Sequence, residues 1–248
     1  MKSTNDIKKF YPPKRNTGSV SSRVEAKIVP LRRDFAPDEA RGKDTTTVRL
    51  RELYQDKFKK YGDDPKSLLW KRKGAAHQRF RQFWAEIDFN NKKVLDIGCG
   101  FGEFGIFLVK RYKNVNYTGI DIVPEFINVG KKKYPNLNLA VADYLTDKIK
   151  AKFDVVIASG VLNSNVSNNM KFREKAIAKM FSLTSDVLAF NMLGGHPQPK
   201  FTNDSNVWYA DSLEILNYCL SLTRRVILRA NYNPHDFTIF MYKVKKSV

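Results

Sequence analysis

"GCGFGEFG", residues 98–105, carries two overlapping glycine patterns that point to different ligands. Gly98-x-Gly100-x-Gly102 suits a nucleoside-binding loop, whereas Gly100-x-Gly102-x-x-Gly105 matches the spacing of a dinucleotide-binding turn. The preceding residues, "KKVLDI" (92–97), separate the two, because a ligand-binding turn begins where the first strand ends. If Gly100 opens the turn, Asp96 lies inside the strand, buried and unpartnered, at a cost in free energy. If Gly98 opens it, Asp96 stands at the strand's C-terminal lip, where open α/β sheets bind ligands. Gly105 then falls within the following helix as a packing residue. The spacing therefore favours Gly98, Gly100 and Gly102 as the turn.

Outward from this loop the chain alternates. "KKVLDIG", "VNYTGIDI", "LNLAVAD", "FDVVIASGV" and "SDVLAFNML" read as strands. "FGIFLVKRY", "PEFINVGKKKY", "MKFREKAIAKMFSL" and "DSLEILNYCLSL" read as helices. "RRVILRANY" and "DFTIFMYK" close the chain around an Asn-Pro turn too short for a helix, so they pair antiparallel. The pattern predicts an α/β, Rossmann-like, seven-stranded, mostly parallel sheet with an antiparallel last strand and helices on both faces. His235, in the closing turn, is expected at the far end of the sheet.

Upstream, residues 1–48 carry Pro12, Pro13, Pro30 and Pro37 without an apolar period and read as a basic, flexible arm. Residues 49–90 read as cap helices ahead of a ligand-binding domain at 91–248. "TTTVRLRELYQDKFKKYG" is a helix stopping at Gly62. "DDPKSLLWKRKGAAHQRFRQFWAEI" is a second helix, with Leu69, Ala76, Phe80, Phe83, Trp84 and Ile87 on one face and Lys71, Arg72, Lys73, Arg79 and Arg81 on the other.

The formal charge of the 248-residue chain is +19. It is spread evenly: residues 1–90 hold 22 Lys and Arg against 12 Asp and Glu, and residues 91–248 hold 22 against 13. A nucleic acid or another polyanion is thus an alternative partner, although no dedicated binding tail stands out. Cys99 and Cys219 make neither a disulfide framework nor a metal cluster, so no metal is expected. With no apolar run long enough to span a membrane and no secretory leader in the first twenty residues, a cytoplasmic setting is expected.

"VLDIGCGFGEFG" (94–105), "YTGIDIVPEFI" (117–127), "AVADYL" (140–145) and "FDVVIASGVL" (153–162) together resemble the class I S-adenosylmethionine-dependent methyltransferases, over roughly residues 50–248. The resemblance implies that S-adenosylmethionine is the cofactor and S-adenosylhomocysteine the product. It places Asp96 and the loop Gly98, Cys99, Gly100 and Gly102 against the methionine part. Asp121, followed by Ile122, would take both ribose hydroxyls, a bidentate task that suits a carboxylate. Asp143, with Ala142 and Tyr144, would meet the adenine, and Ser159 and Gly160 would line the methyl-transfer side. Arg79 is a further candidate for the cofactor's carboxylate, with Trp70 covering the pocket. Asp121 suits an NAD ribose equally well; the closing hairpin and the lack of a second half-sheet stand against a dehydrogenase.

"ASGVLN" lacks the Asp/Asn-Pro-Pro-aromatic pattern of base N-methyltransferases and resembles the lip of the small-molecule-type subgroup. The expected acceptor is the oxygen or nitrogen of a polar small molecule or saccharide. The alternatives are an RNA acceptor and a catalytically silent cofactor-binding or structural protein. Asn163, Asn165, Trp208 and Tyr209 are candidate acceptor contacts. His196, in a glycine-flanked loop, is the candidate general base, since a free imidazole titrates near neutrality.

Overall fold

The computed structural model describes residues 35–36, 45–70, 73–200 and 206–244. The greater part of the predicted arm, and Lys71 and Arg72 of the predicted basic face, lie outside them. Seven strands form one sheet in the order β4 (Asn138–Val141), β3 (Asn116–Asp121), β2 (Lys93–Ile97), β6 (Phe153–Ser159), β7 (Thr184–Gly195), β10 (Asp236–Tyr242) and β9 (Val226–Asn233). Neighbours from β4 to β7 pair parallel, and β10 pairs antiparallel with both β7 and β9. This is the predicted α/β arrangement. Three two-residue strands remain: β8 (Ala210–Asp211) pairs parallel with the end of β7, and β1 (Phe35–Ala36) pairs antiparallel with β5 (Lys148–Ile149) as a separate two-stranded sheet.

The central strands are buried on both faces, which is why "VLDI" and "FDVVIAS" read as nearly continuous apolar runs. One core layer joins β6, β7 and β10 to α5 (Asn169–Leu183) and α6 (Ser212–Leu222). The other joins the opposite face to α2 (Lys73–Glu86) and α3 (Glu103–Val109), with Phe80, Phe83, Phe89, Phe104 and Phe107 in mutual ring contact. A third, smaller cluster lies at the sheet's edge. There α1 (Thr45–Tyr61) packs Tyr54 and Phe58 against Phe126 of α4 (Pro124–Lys133).

Three expectations change. First, the stretch 63–87 is not one helix. Asp64 caps a short 3-10 turn at Pro65–Leu68, Leu69 then takes a left-handed φ of 58°, and α2 begins only at Lys73. Second, Arg79 is not on a solvated face. It is 8% exposed and donates to Asp236 through Nε (3.2 Å) and Nη2 (2.6 Å), its guanidinium 5.4 Å from the Trp70 ring centroid. Third, the closing turn is not at the far end. Because β10 runs antiparallel and Asp236 pairs with Leu193, His235 stands at the edge where the parallel strands end. That is how Asp236 comes within reach of Arg79. α1 begins at Thr45, ahead of the cap segment expected from residue 49.

Candidate functional site

At the C-terminal edge of β2, β3 and β6 lies a cavity of about 360 Å³. Its floor is the glycine loop. Gly98, Gly100 and Gly102 all have positive φ, and a Cβ on Gly98 would stand 2.4 Å from Val161 Cγ2. Gly105 is inside α3, where a Cβ would meet Tyr117 at 2.6 Å, so it is a packing glycine.

Asp96 departs in part from the sequence argument. It is the fourth residue of β2 and 2% exposed, so it does lie inside the strand. Its partner is a neutral hydroxyl: Tyr117 of β3 donates to Oδ2 at 2.6 Å. Burial pushes its carboxyl up to about 7 against the lowering effect of that bond, with the Asp121 and Glu103 charges adding to the rise. Asp121 ends β3. Its Oδ2 accepts from Gly100 N and its Oδ1 from Val123 N, both at 3.0 Å, leaving each oxygen a further lone pair. Burial raises it to about 6 despite the backbone donors. Asp143 follows β4, 7% exposed, its Oδ1 accepting from Leu145 N at 2.9 Å.

The cavity therefore gathers Asp96, Gly98, Cys99, Gly100, Asp121, Ile122, Ala142, Asp143, Tyr144, Ser159 and Gly160 into one lining. Gly102 is placed just behind the loop, its N donating to Cys99 O. Arg79 stands behind Gly160, with Nη1 3.2 Å from where a Cβ of that glycine would be. The lining also holds Asp63 and Glu103. Five carboxylates thus face one lysine, Lys133, in a chain whose overall charge is +19.

The predicted acceptor residues are not on this lining. Asn163 Oδ1 accepts from Leu193 N, and its carbonyl accepts from Trp208 N. Asn165 Oδ1 accepts from Asn169 Nδ2. Trp208 lies 4.6 Å from the Arg173 guanidinium, and Tyr209 O accepts from Gln198. His196 is on the loop after β7, its Nδ1 3.1 Å from both oxygens of Asp211. The imidazole on the lining belongs to His77 of α2, in ring contact with Phe80.

Two features escaped sequence reading. Arg173 of α5 is fully buried. It donates to Leu162 O through Nε and Nη2, to Ser164 O, and to Asn169 through Nη1, so it clasps the loop after β6. Its position in register with Ala176, Ile177 and Met180 was the available signal, since that spacing sets it on the apolar face. The other is α1, which contributes Thr47, Leu50 and Tyr54 to the lining, Tyr54 hydrogen-bonding the side chain of Ser164. Among the described residues, no cluster of His, Cys, Asp or Glu is arranged to hold a metal, and no helix is long and apolar enough to cross a membrane.

A family model described as "Methyltransferase domain" matches residues 88–194. A provisionally named methyltransferase of Mycobacterium tuberculosis is 27% identical over 160 residues, which is 60% of this chain and 92% of that relative. Several other curated relatives are matched over 26% of their length. Among solved structures, magnesium protoporphyrin IX methyltransferase from Synechocystis, with S-adenosylhomocysteine bound, aligns with a TM-score of 0.59 at 18% identity, covering 81% of this chain and 100% of that one. The 1,6-didemethyltoxoflavin N1-methyltransferase of Burkholderia thailandensis aligns at 0.60 and 14% identity, covering 85% and 95%.

Proposed function

We propose that this chain, whose residues 88–194 are a class I, S-adenosylmethionine-dependent methyltransferase domain, moves the methyl group to an oxygen or nitrogen of a polar small molecule or saccharide. The observation that carries the reading is the acid lining of the cavity in an otherwise basic protein. A dinucleotide brings a doubly charged pyrophosphate, which those carboxylates repel. A sulfonium cofactor brings a cation, which they attract.

In this reading Asp121 takes the ribose hydroxyls on its remaining lone pairs. Asp143, Ala142 and Tyr144 hold the adenine, with Ile122 beside it. Asp96 and the backbone of Gly98, Cys99 and Gly100, braced by Gly102, surround the methionine part. Ser159 and Gly160 face the methyl, and Arg79 bears on the site by supporting Gly160. Bound there, the cofactor supplies an already activated methyl group, so the protein's task is alignment and, where the acceptor needs it, proton removal. The residues of α1 and α2 on the lining support a small acceptor, because they narrow the space beside the carboxylates.

Calorimetric titration of the full chain with S-adenosylmethionine, S-adenosylhomocysteine and NAD tests the reading. Binding of the first two and not the third is expected. Binding of NAD, or of none of them, would overturn it. Acceptor screening with the labelled methyl donor then follows.

A further inference from the structure

The glycine loop and the carboxylates form the floor and one side of the cavity, but its roof comes from a helix outside the matched domain. Thr47, Leu50 and Tyr54, at spacings of three and four, lie along one face of α1, and all three are on the lining. Thr47 is 7% exposed, yet its hydroxyl has no hydrogen-bond partner among the described residues. It sits in the first turn of α1. A buried hydroxyl left unsatisfied costs about 1–3 kcal/mol, so its position calls for a partner that the described residues do not supply.

The direction of α1 says which part of the ligand that partner is. Arg51, one turn after Thr47, faces Asp147 electrostatically, and Asp147 Oδ2 accepts from the backbone of Asp143. Tyr54 lies within the field of Asp121, and Phe58 reaches Phe101 of the glycine loop. The helix thus runs from the Asp143–Asp147 loop toward the glycine loop. Thr47 is at the first end, roughly 10 Å along the axis from Tyr54.

We propose that Thr47 is a ligand-binding residue, its hydroxyl hydrogen-bonding the purine edge of the cofactor, so that α1 forms the fourth wall of the nucleoside site. The inference rests on the cofactor reading above. A purine edge offers an amine donor beside a ring-nitrogen acceptor, and a hydroxyl serves either. Leu50 closes the apolar side of the same wall.

The test uses the full chain, with S-adenosylhomocysteine and 5′-methylthioadenosine as probes, the second keeping purine and ribose while lacking the amino acid. Thr47→Val is nearly isosteric. It is expected to weaken both probes equally, by about three- to tenfold, the worth of one hydrogen bond. Thr47→Ser is expected to restore affinity. The ligand-free melting temperature of Thr47→Val should equal or exceed that of the parent, because the variant no longer buries an unpaired hydroxyl. A lowered melting temperature would make Thr47 merely structural. Unchanged affinity for both probes, loss for S-adenosylhomocysteine alone, or no rescue by serine would equally overturn the assignment. If the parent chain binds neither probe, the cofactor reading itself falls. If the parent binds and Asp121→Ala does not, while Thr47→Val is silent, only the inference about α1 falls.

Discussion

The two flanks of the cavity treat polar groups in opposite ways. On the flank made by β2, β3, β4 and α1, capacity is left over. Asp121 keeps lone pairs after anchoring two backbone amides, Asp96 is held by one neutral hydroxyl, and Thr47 Oγ1 has no partner among the described residues. On the flank made by the loop after β6, α5 and β7, the groups turn inward. Arg173 donates to three residues of the fold, Asn163 is held at side chain and carbonyl, and Asn191 binds Gly160 N with its Oδ1 and faces Ser159 with its Nδ2. A polar residue near a cavity is therefore informative only through what it has left to give. The first flank has polar capacity to offer a ligand, whereas the second, although Ser159, Gly160 and Ser164 of it also line the cavity, spends most of its polar groups holding its own loop.

Removing the clasp is expected to have the largest effect. Arg173→Ala strands the carbonyls of Leu162 and Ser164 in a buried setting, at about 1–3 kcal/mol each, and leaves a cavity where the side chain was. A loss of at least about 3 kcal/mol, or roughly 6–12 °C in melting temperature, should appear by calorimetry. Affinity for S-adenosylhomocysteine should stay within about twofold. A variant that loses both together would erase the distinction between flanks.

Asp121→Ala is the mirror experiment. Two charge-assisted hydrogen bonds to the ribose, at about 1.5–3 kcal/mol each, predict at least about a hundredfold loss of affinity, with less thermal destabilisation than Arg173→Ala. Unchanged affinity would remove Asp121 from the ribose site.

The third experiment reads pH. Asp96 is raised from 3.8 to about 7, so between those values the folded state holds a proton that the unfolded chain releases. Stability from this group is full at low pH and is lost as pH rises through that window, by at most about 1.4 kcal/mol per pH unit. Asp121, raised to about 6, adds a slope of the same sign. The ligand-free melting temperature should fall from pH 5 to 8, and Asp96→Asn should flatten the fall without abolishing it. A curve that rises over this range would contradict the burial argument.

The smallest effect probes the seam between the flanks. A Cβ on Gly98 meets Val161 Cγ2 at 2.4 Å, and φ there is +66°. Gly98→Ala should cost about 2 kcal/mol, and adding Val161→Ala should recover about half by removing the clash while the left-handed strain stays. Strict additivity in this double-mutant cycle would show that the two loops do not touch in solution.

The sheet and the carboxylates of the first flank, though not the part α1 plays in the lining, were legible in the sequence because their signals are local. Apolar runs end in glycines, and acidic residues stand at strand ends. What was missed depends on placement. The break at Leu69 has no glycine to announce it, and a left-handed leucine is stabilised only by its surroundings. His235 was set at the wrong edge because strand direction, not turn chemistry, decides where a hairpin points. Arg79 was set on the charged face of its helix and Arg173 was passed over, yet each shares helical register with buried apolar neighbours, Ala76 and Phe83 for the one and Ala176, Ile177 and Met180 for the other. The acceptor candidates were chosen for proximity to strand ends; they stand off the cavity lining, and the Asn163 side chain is engaged by Leu193 N.

The small aromatic cluster under α1 has a consequence for the timing of turnover. Tyr54 and Phe58 pack on Phe101 and Phe126, and Gln55 binds Glu125, apart from the two large core layers. The helix is held by this cluster and by the turn at Pro65–Leu68 rather than by a strand of the sheet. Under the cofactor reading proposed above, lifting it would part those four aromatic rings without unravelling the sheet, and the rings would then share with the carboxylates the task of setting how long spent cofactor stays.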